Sequence, residues 1–278
     1  MAVLAFTLAA FGLAAGSFLN ALASRLATGE SVFSGRSHCV HCGRTLAWFE
    51  LIPLGSFLIQ RGRCRSCGGA IPVRYFIVEL FSAALFLLLG LRIFQGTLSF
   101  PFVSGSPDAF IIDPLLFQTG VFLYYGAFLF FGLLVSVYDF EHRLILSRPI
   151  WLLALMGLLG HASAAVLTRN AGPLVWAAGI AAGAFFFFWS LWFFSRGRAM
   201  GRGDADVAGA IALYLGPAVA LIGLLLAFWT GALTGLLLLG AGVLRWKSRI
   251  PFAPFLFFGA TLALFFSESA YRLLFSWS

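Results

Sequence analysis

Polar residues are so sparse along most of the chain that the apolar stretches between them set the pattern. Eight stretches are long and apolar enough to cross a bilayer, which takes about 20 residues as helix. They cover about 2–24, 76–95, 114–138, 149–168, 173–195, 207–229, 230–244 and 250–270. None alternates apolar and polar positions as a strand of a membrane barrel would. The first is too long for a secretory signal and lacks a basic start and a cleavage site. The seventh is short, and the turn before it is expected at 229–233, between Trp229 and Leu233. The pattern predicts an all-α polytopic membrane protein of about eight transmembrane helices. Three segments follow from it: a first transmembrane helix (1–27), a long polar loop (28–75) and a membrane domain (76–278).

Composition narrows the classes that remain. Of the 278 residues, 61% are hydrophobic and 10% charged, which leaves too little polar surface for a soluble globular enzyme. The net charge of +8 calls for no nucleic-acid partner if the basic residues sit on one side of the membrane. With the 28–75 loop in the cytoplasm, alternation puts 15 basic residues there. They are Arg25, Arg36, Arg44, Arg61, Arg63, Arg65, Arg74, Arg143, Arg148, Arg196, Arg198, Arg202, Arg245, Lys247 and Arg249. Three fall on the other side: Arg92, Arg169 and Arg272. Both termini then face outward, and 96–113, with Pro101, Pro107, Asp108 and Asp113, is an outward connection. The pairs Gly12/Gly16, Gly179/Gly183 and Gly231/Gly235 have the spacing that lets helix backbones approach.

All four cysteines lie in the polar loop, as Cys39-Val40-His41-Cys42 and Cys64-Arg65-Ser66-Cys67. Two such knuckles at this separation are spaced for a tetrahedral structural zinc site, and Gly43 and Gly68 suit the turn after each. A loop of this size buries too little to fold by itself, and a metal would supply the difference. An iron–sulfur centre and a metal-free dithiol are the alternatives, while a cytoplasmic position disfavours disulfides. His38 and His41 stand beside Cys39 as substitute ligands or solvated bystanders.

Charges near the spans are costly and point to function. Asp139 ends the third span, and Asp204 precedes the sixth within Gly201-Arg202-Gly203-Asp204. Two facing carboxylates can share one proton, one activating water while the other polarises a carbonyl. Against this stands the reading of two solvated loop acids beside Arg143 and Arg202. Glu79, one turn into the second span, needs a partner, for which Arg74 and Asn20 are candidates. His142 reads as a solvated loop residue or a group that tunes the pair, and Glu141 as an acid close enough to Asp139 to be confused with it. His161 and Glu268 read as satisfied or interfacial groups, and Phe185–Phe188 as lipid-facing bulk.

These residues together resemble the bacterial prepilin peptidases, membrane aspartic proteases with a glycine-x-glycine-aspartate motif. The resemblance runs through Gly16-Ser17-Phe18-Leu19-Asn20 with Ser24-Arg25-Leu26, and through the loop from Cys39 to Cys67 with Trp48, Ile52-Pro53 and Arg61-Gly62-Arg63. It continues through Ile71-Pro72, Arg74-Tyr75 and Glu79-Leu80, through Asp139 and Asp204, and through Ile250-Pro251-Phe252-Ala253-Pro254-Phe255. It implies an endopeptidase of the cytoplasmic (inner) membrane, with Asp139 and Asp204 catalytic and Cys39, Cys42, Cys64 and Cys67 holding zinc. The implied substrate is a type IV prepilin or type II secretion pseudopilin helix, set in membrane lipid, whose basic leader is removed. The new amino terminus is then methylated with S-adenosylmethionine. The sequence departs from the family at Leu146, Ser147 and Asp206, where a proline, an acid or amide, and a lysine are usual. No glycine-rich nucleotide fingerprint follows a strand, so the methyl-donor residues are not assigned. A proton-relaying transporter and a non-catalytic assembly scaffold are the rival classes.

Overall fold

The computed structural model describes residues 2–31, 35–101, 113–198, 200–243 and 250–275, with side chains as far as 266. Arg245, Lys247, Arg249, Pro107 and Asp108 lie outside the described residues, as do the side chains of Glu268 and Arg272. The described residues form helices α1 (Ala2–Thr28), α2 (Gly55–Ile59), α3 (Val73–Phe94), α4 (Pro114–His142), α5 (Ser147–Thr168), α6 (Gly172–Ser195), α7 (Gly203–Leu215), α8 (Pro217–Gly240) and α9 (Ala253–Phe275). Six of them, α1, α3, α4, α5, α6 and α8, are long and apolar enough to cross a membrane. The protein is an all-α polytopic membrane protein. Two isolated bridges, His38 with Thr45 and Arg63 with Ala70, are the only extended pairing among the described residues.

The chain divides into two units. The first holds residues 1–98 and 118–130, and the second holds 99–117 and 131–278, so α4 contributes to both. In the first unit α1 packs along α3. The approach is close because Gly12 and Gly16 face it: a Cβ at Gly12 would stand 2.7 Å from the Ala83 Cα, and one at Gly16 2.8 Å from the Glu79 Cα. The hydroxyl of Ser82 donates to the Gly12 carbonyl at 2.7 Å, a buried polar contact between the two helices.

In the second unit α6 packs on α7, α5 on α7, and α8 on α9. Asp113 caps α4, its carboxylate accepting the Leu115 N–H at 2.7 Å, with Pro114 in the first turn where no N–H is needed. The expected division of 207–229 from 230–244 is wrong. Thr230 lies inside α8, and the break falls at Gly216-Pro217 instead. Gly216 has φ +78°, which a side chain would resist, and Pro217 has no N–H to continue α7. The helix ladder therefore leaves the Leu213 carbonyl without its usual donor, and the buried ring of His161 from α5 lies against the Leu213 backbone. At 13 residues α7 is about 20 Å long, shorter than the bilayer core of about 30 Å, so this break needs burial in protein. Tyr214 and Leu215 are buried accordingly.

Two further expectations change. Gly179 and Gly183 face no neighbour, whereas Gly223 and Gly259, not paired by spacing, seat α8 against α9. Of the Phe185–Phe188 run, Phe186 and Phe187 are exposed but Phe188 is core, stacked on Phe228 at 5.4 Å. A Cβ at Gly259 would stand 2.4 Å from the Gly223 carbonyl oxygen and 2.5 Å from the Ala227 nitrogen. Gly259→Val should therefore force α8 and α9 apart at a cost of about 1–3 kcal/mol. A lowered thermal unfolding midpoint in detergent is the expected reading, and an unchanged midpoint would contradict this packing.

Candidate active site and metal centre

Asp139 sits in the last turn of α4 and Asp204 in the first turn of α7, both in the second unit. They are 5% and 4% exposed, so neither is a solvated loop acid. The Asp139 charge acts on Asp204. Each carboxylate is held by a backbone amide. Asp204 Oδ2 accepts the Gly201 N–H at 2.9 Å, and Asp139 is hydrogen-bonded by the Ala253 backbone at the start of α9. Helix N-termini favour negative charge, which suits both contacts. Gly203 lies against Ile145, where a Cβ would come within 2.9 Å of the Ile145 side chain. Asp206 points to a different neighbour, the Arg202 charge. His142 pairs with Glu141 at 3.8 Å and lies on the Tyr138 ring, 4.6 Å between centroids.

The cysteines converge in the first unit. The Sγ atoms of Cys39, Cys42, Cys64 and Cys67 all lie within 4.8 Å of one another. Cys39 and Cys67 are 3.9 Å apart, close to the roughly 3.8 Å edge of a tetrahedron built on metal–sulfur bonds of about 2.3 Å. Two matching turns make the cluster. The Cys39 N–H donates to Arg44 O and the Gly43 N–H to Cys39 O, both at 2.9 Å. The Cys64 N–H donates to Gly69 O at 2.8 Å and the Gly68 N–H to Cys64 O at 2.9 Å. Gly43 and Gly68 have φ +68° and +69°, the same left-handed step in each turn.

Backbone N–H groups of Cys67 and Ser66 pull the Cys64 thiol down to about 6, favouring the thiolate that a metal requires. The four sulfurs can bind a metal ion. The histidines stay outside the set. His41 Nε2 lies 3.1 Å from the Ala70 carbonyl, and His38 lies 3.8 Å from Glu30.

Under the knuckles is a cavity of about 550 Å³, lined by α1, α3 and the loop between them. Among its walls are Ser17, Asn20, Arg36, Glu50, Tyr75 and Glu79. Asn20 donates to the Tyr75 carbonyl at 3.1 Å, and its buried Oδ1 accepts no hydrogen bond. Glu79 finds partners in the Leu54 N–H, at 2.8 Å, and Ser17. The two partners expected for it lie elsewhere: Asn20 on Tyr75 O, and Arg74 with its guanidinium 4.9 Å from the Tyr75 ring centre.

Residues 10–93 match the Bacterial Peptidase A24 N-terminal domain, and residues 126–236 match the Type IV leader peptidase family. The chain belongs to the type IV leader peptidase family. It is 32% identical to a prepilin leader peptidase/N-methyltransferase of Bacillus subtilis (strain 168), over 93% of each chain. A protein of the same description from Burkholderia pseudomallei (strain 1026b) is 31% identical, over 95% of this chain and 85% of that one. One from Klebsiella pneumoniae is 31% identical, over 74% and 82%. No solved structure matches the chain. In this leader peptidase the cysteine cluster lies in the first matched region and both aspartates in the second.

Sequence reasoning missed several residues that partner the polar groups of the two units. Glu50 is buried in the loop, taking Arg44 at 2.6 Å and the Ala47 N–H at 2.9 Å. The Ala47 N–H, and then Arg44, hold its carboxyl below the ordinary glutamate range. An acid following Trp48 and Phe49 in a predominantly basic loop was the available signal. Leu54 acts through its backbone N–H and offered none, and Ala253, within the 250–255 motif, carried no mark of its amide contact with Asp139.

The purified protein is expected to carry one thiolate-bound metal ion per chain, and Cys39→Ser with Cys64→Ser to lose it by elemental analysis. Full metal content in the double variant would remove the cluster as the site.

Proposed function

We propose that this chain removes the basic leader of type IV prepilins or type II secretion pseudopilins, with Asp139 and Asp204 as its catalytic pair, and then methylates the new amino terminus. The observation that carries the peptidase reading is the burial of two carboxylates at helix ends, one within electrostatic reach of the other, within the part that matches the family. One carboxylate takes a proton from water while the other, protonated, polarises the scissile carbonyl, with no covalent intermediate. The Gly201 and Ala253 amides hold the two side chains in place for this. The substrate arrives as an apolar helix, so the pair acts at the end of the membrane helices, where water can enter. The basic residues around the 28–75 loop, with Arg143 and Arg202 near the two acids, support a cytoplasmic face in the inner membrane for both.

The division of labour follows the segments 1–27, 28–75 and 76–278: anchor, zinc-binding loop and peptidase domain. Zinc fits the four sulfurs because it takes tetrahedral thiolates and leaves no position open for chemistry, so its role is to fold the loop. The cavity beneath the loop suits the methylation step. S-adenosylmethionine, when bound, supplies the methyl group; the free Asn20 Oδ1 and the Glu79 carboxylate are acceptors for the substrate amine.

Asp139→Asn and Asp204→Asn should each lower leader cleavage by at least about 10²-fold in reconstituted vesicles, read as the mass of the product. Either variant should still methylate a pilin supplied already shortened. Cleavage retained in either variant would overturn the pair, and methylation lost in both would overturn the separate cavity.

A further inference from the structure

The segment 48–59, between the two knuckles, has two unlike faces. Glu50, Leu51, Pro53, Ser56 and Phe57 line the cavity. Turned away from it are Trp48, Phe49, Ile52, Leu58 and Ile59, all exposed, with Trp48 at 75% and Ile59 at 83%. A water-facing loop of this length would carry polar residues there, and a contiguous apolar patch marks a surface that meets something apolar.

The position of the segment identifies what it meets. The Leu54 N–H reaches Glu79 at 2.8 Å, and the Phe57 ring packs on Phe76 at 5.4 Å. Those residues lie about 9 Å and about 4.5 Å along α3 from its first residue, at 1.5 Å per residue. At 22 residues α3 is about 33 Å long, barely more than a bilayer core of about 30 Å, so it has little length to spare outside the lipid. The segment therefore runs beside the part of α3 that enters the membrane. There α3 itself exposes Val73, Ile77 and Leu80, so helix and segment both present apolar side chains outward.

Charge completes the pattern. Arg61, Arg63 and Arg65 follow directly and are exposed, and the Arg65 guanidinium lies 5.6 Å from the Phe49 ring centre. Aromatic residues and arginine next to an apolar face are the composition of an interfacial element on an anionic bilayer.

We propose that residues 48–59 are seated in the bilayer interface beside α3, with Trp48, Ile52, Leu58 and Ile59 against acyl chains and Arg61, Arg63 and Arg65 at anionic headgroups. The lipid then forms the outer support of a wall whose inner side lines the cavity. This rests on α1 and α3 crossing the membrane and is independent of the catalytic assignment.

The test uses the full chain in mixed phosphatidylcholine and phosphatidylglycerol vesicles. The emission of Trp48 is taken as the difference between the wild type and Trp48→Phe. Expected is a blue-shifted difference spectrum that loses most of its intensity with brominated phosphatidylcholine and little with aqueous iodide. Quenching by iodide with protection from brominated lipid would overturn the proposal. A photoreactive p-benzoylphenylalanine at position 59 gives a second reading. A phospholipid adduct is expected, and an adduct to a second copy of the protein, or no lipid adduct, would overturn it.

Discussion

A buried acid in an apolar setting must be partnered, and here the partner is repeatedly a backbone N–H. Asp204 takes the amide of Gly201, Asp139 that of Ala253, and Glu79 that of Leu54. A neutral donor stabilises a carboxylate without fixing its charge as a lysine or arginine would. This leaves the Asp139 charge free to act on Asp204, as carboxylates that share a proton require. The same requirement shapes the break between α7 and α8, where Pro217 removes a donor and His161 is buried against the Leu213 backbone. Packing follows these pairings, since α9 must start beside Asp139 and α7 must start where Gly201 can turn back to Asp204.

The backbone solution also decides what could be read from the residues alone. Spans with an uninterrupted apolar run were legible to within a few residues, because α1, α3, α4, α5 and α6 need only length and hydropathy. The α7–α8 boundary was not, because 207–229 is equally apolar on both sides of Gly216 and length alone moved the turn to 230. The aspartates stood out because charge is rare here, and the cysteines because their spacing is specific. Residues that give only an amide, such as Ala253 and Leu54, carry no mark in their side chains. Glycine spacing was informative only where a partner helix lies opposite: it was right for Gly12 and Gly16 and empty for Gly179 and Gly183.

The two units treat polar groups differently. In the second, two carboxylates are buried and each is met by a backbone N–H. In the first, the loop buries little apolar surface and relies on four thiols, the Arg44–Glu50 pair and two superimposable turns. Where such a cluster binds a metal, folding of the loop and metal affinity are coupled.

The placement of the two knuckles has a consequence for how the protein is made. One knuckle follows α1 and the other immediately precedes α3, and the two helices touch along Gly12 and Gly16. During synthesis the first pair of thiols emerges and waits, and the second arrives only as α3 is about to enter the bilayer. Ion capture at that moment would draw the foot of α3 to the foot of α1 before their apolar faces meet. The cluster then acts as a clasp that sets the register of a helical hairpin. A metal held by the four sulfurs would then bear on the insertion of this hairpin, well before any substrate is encountered.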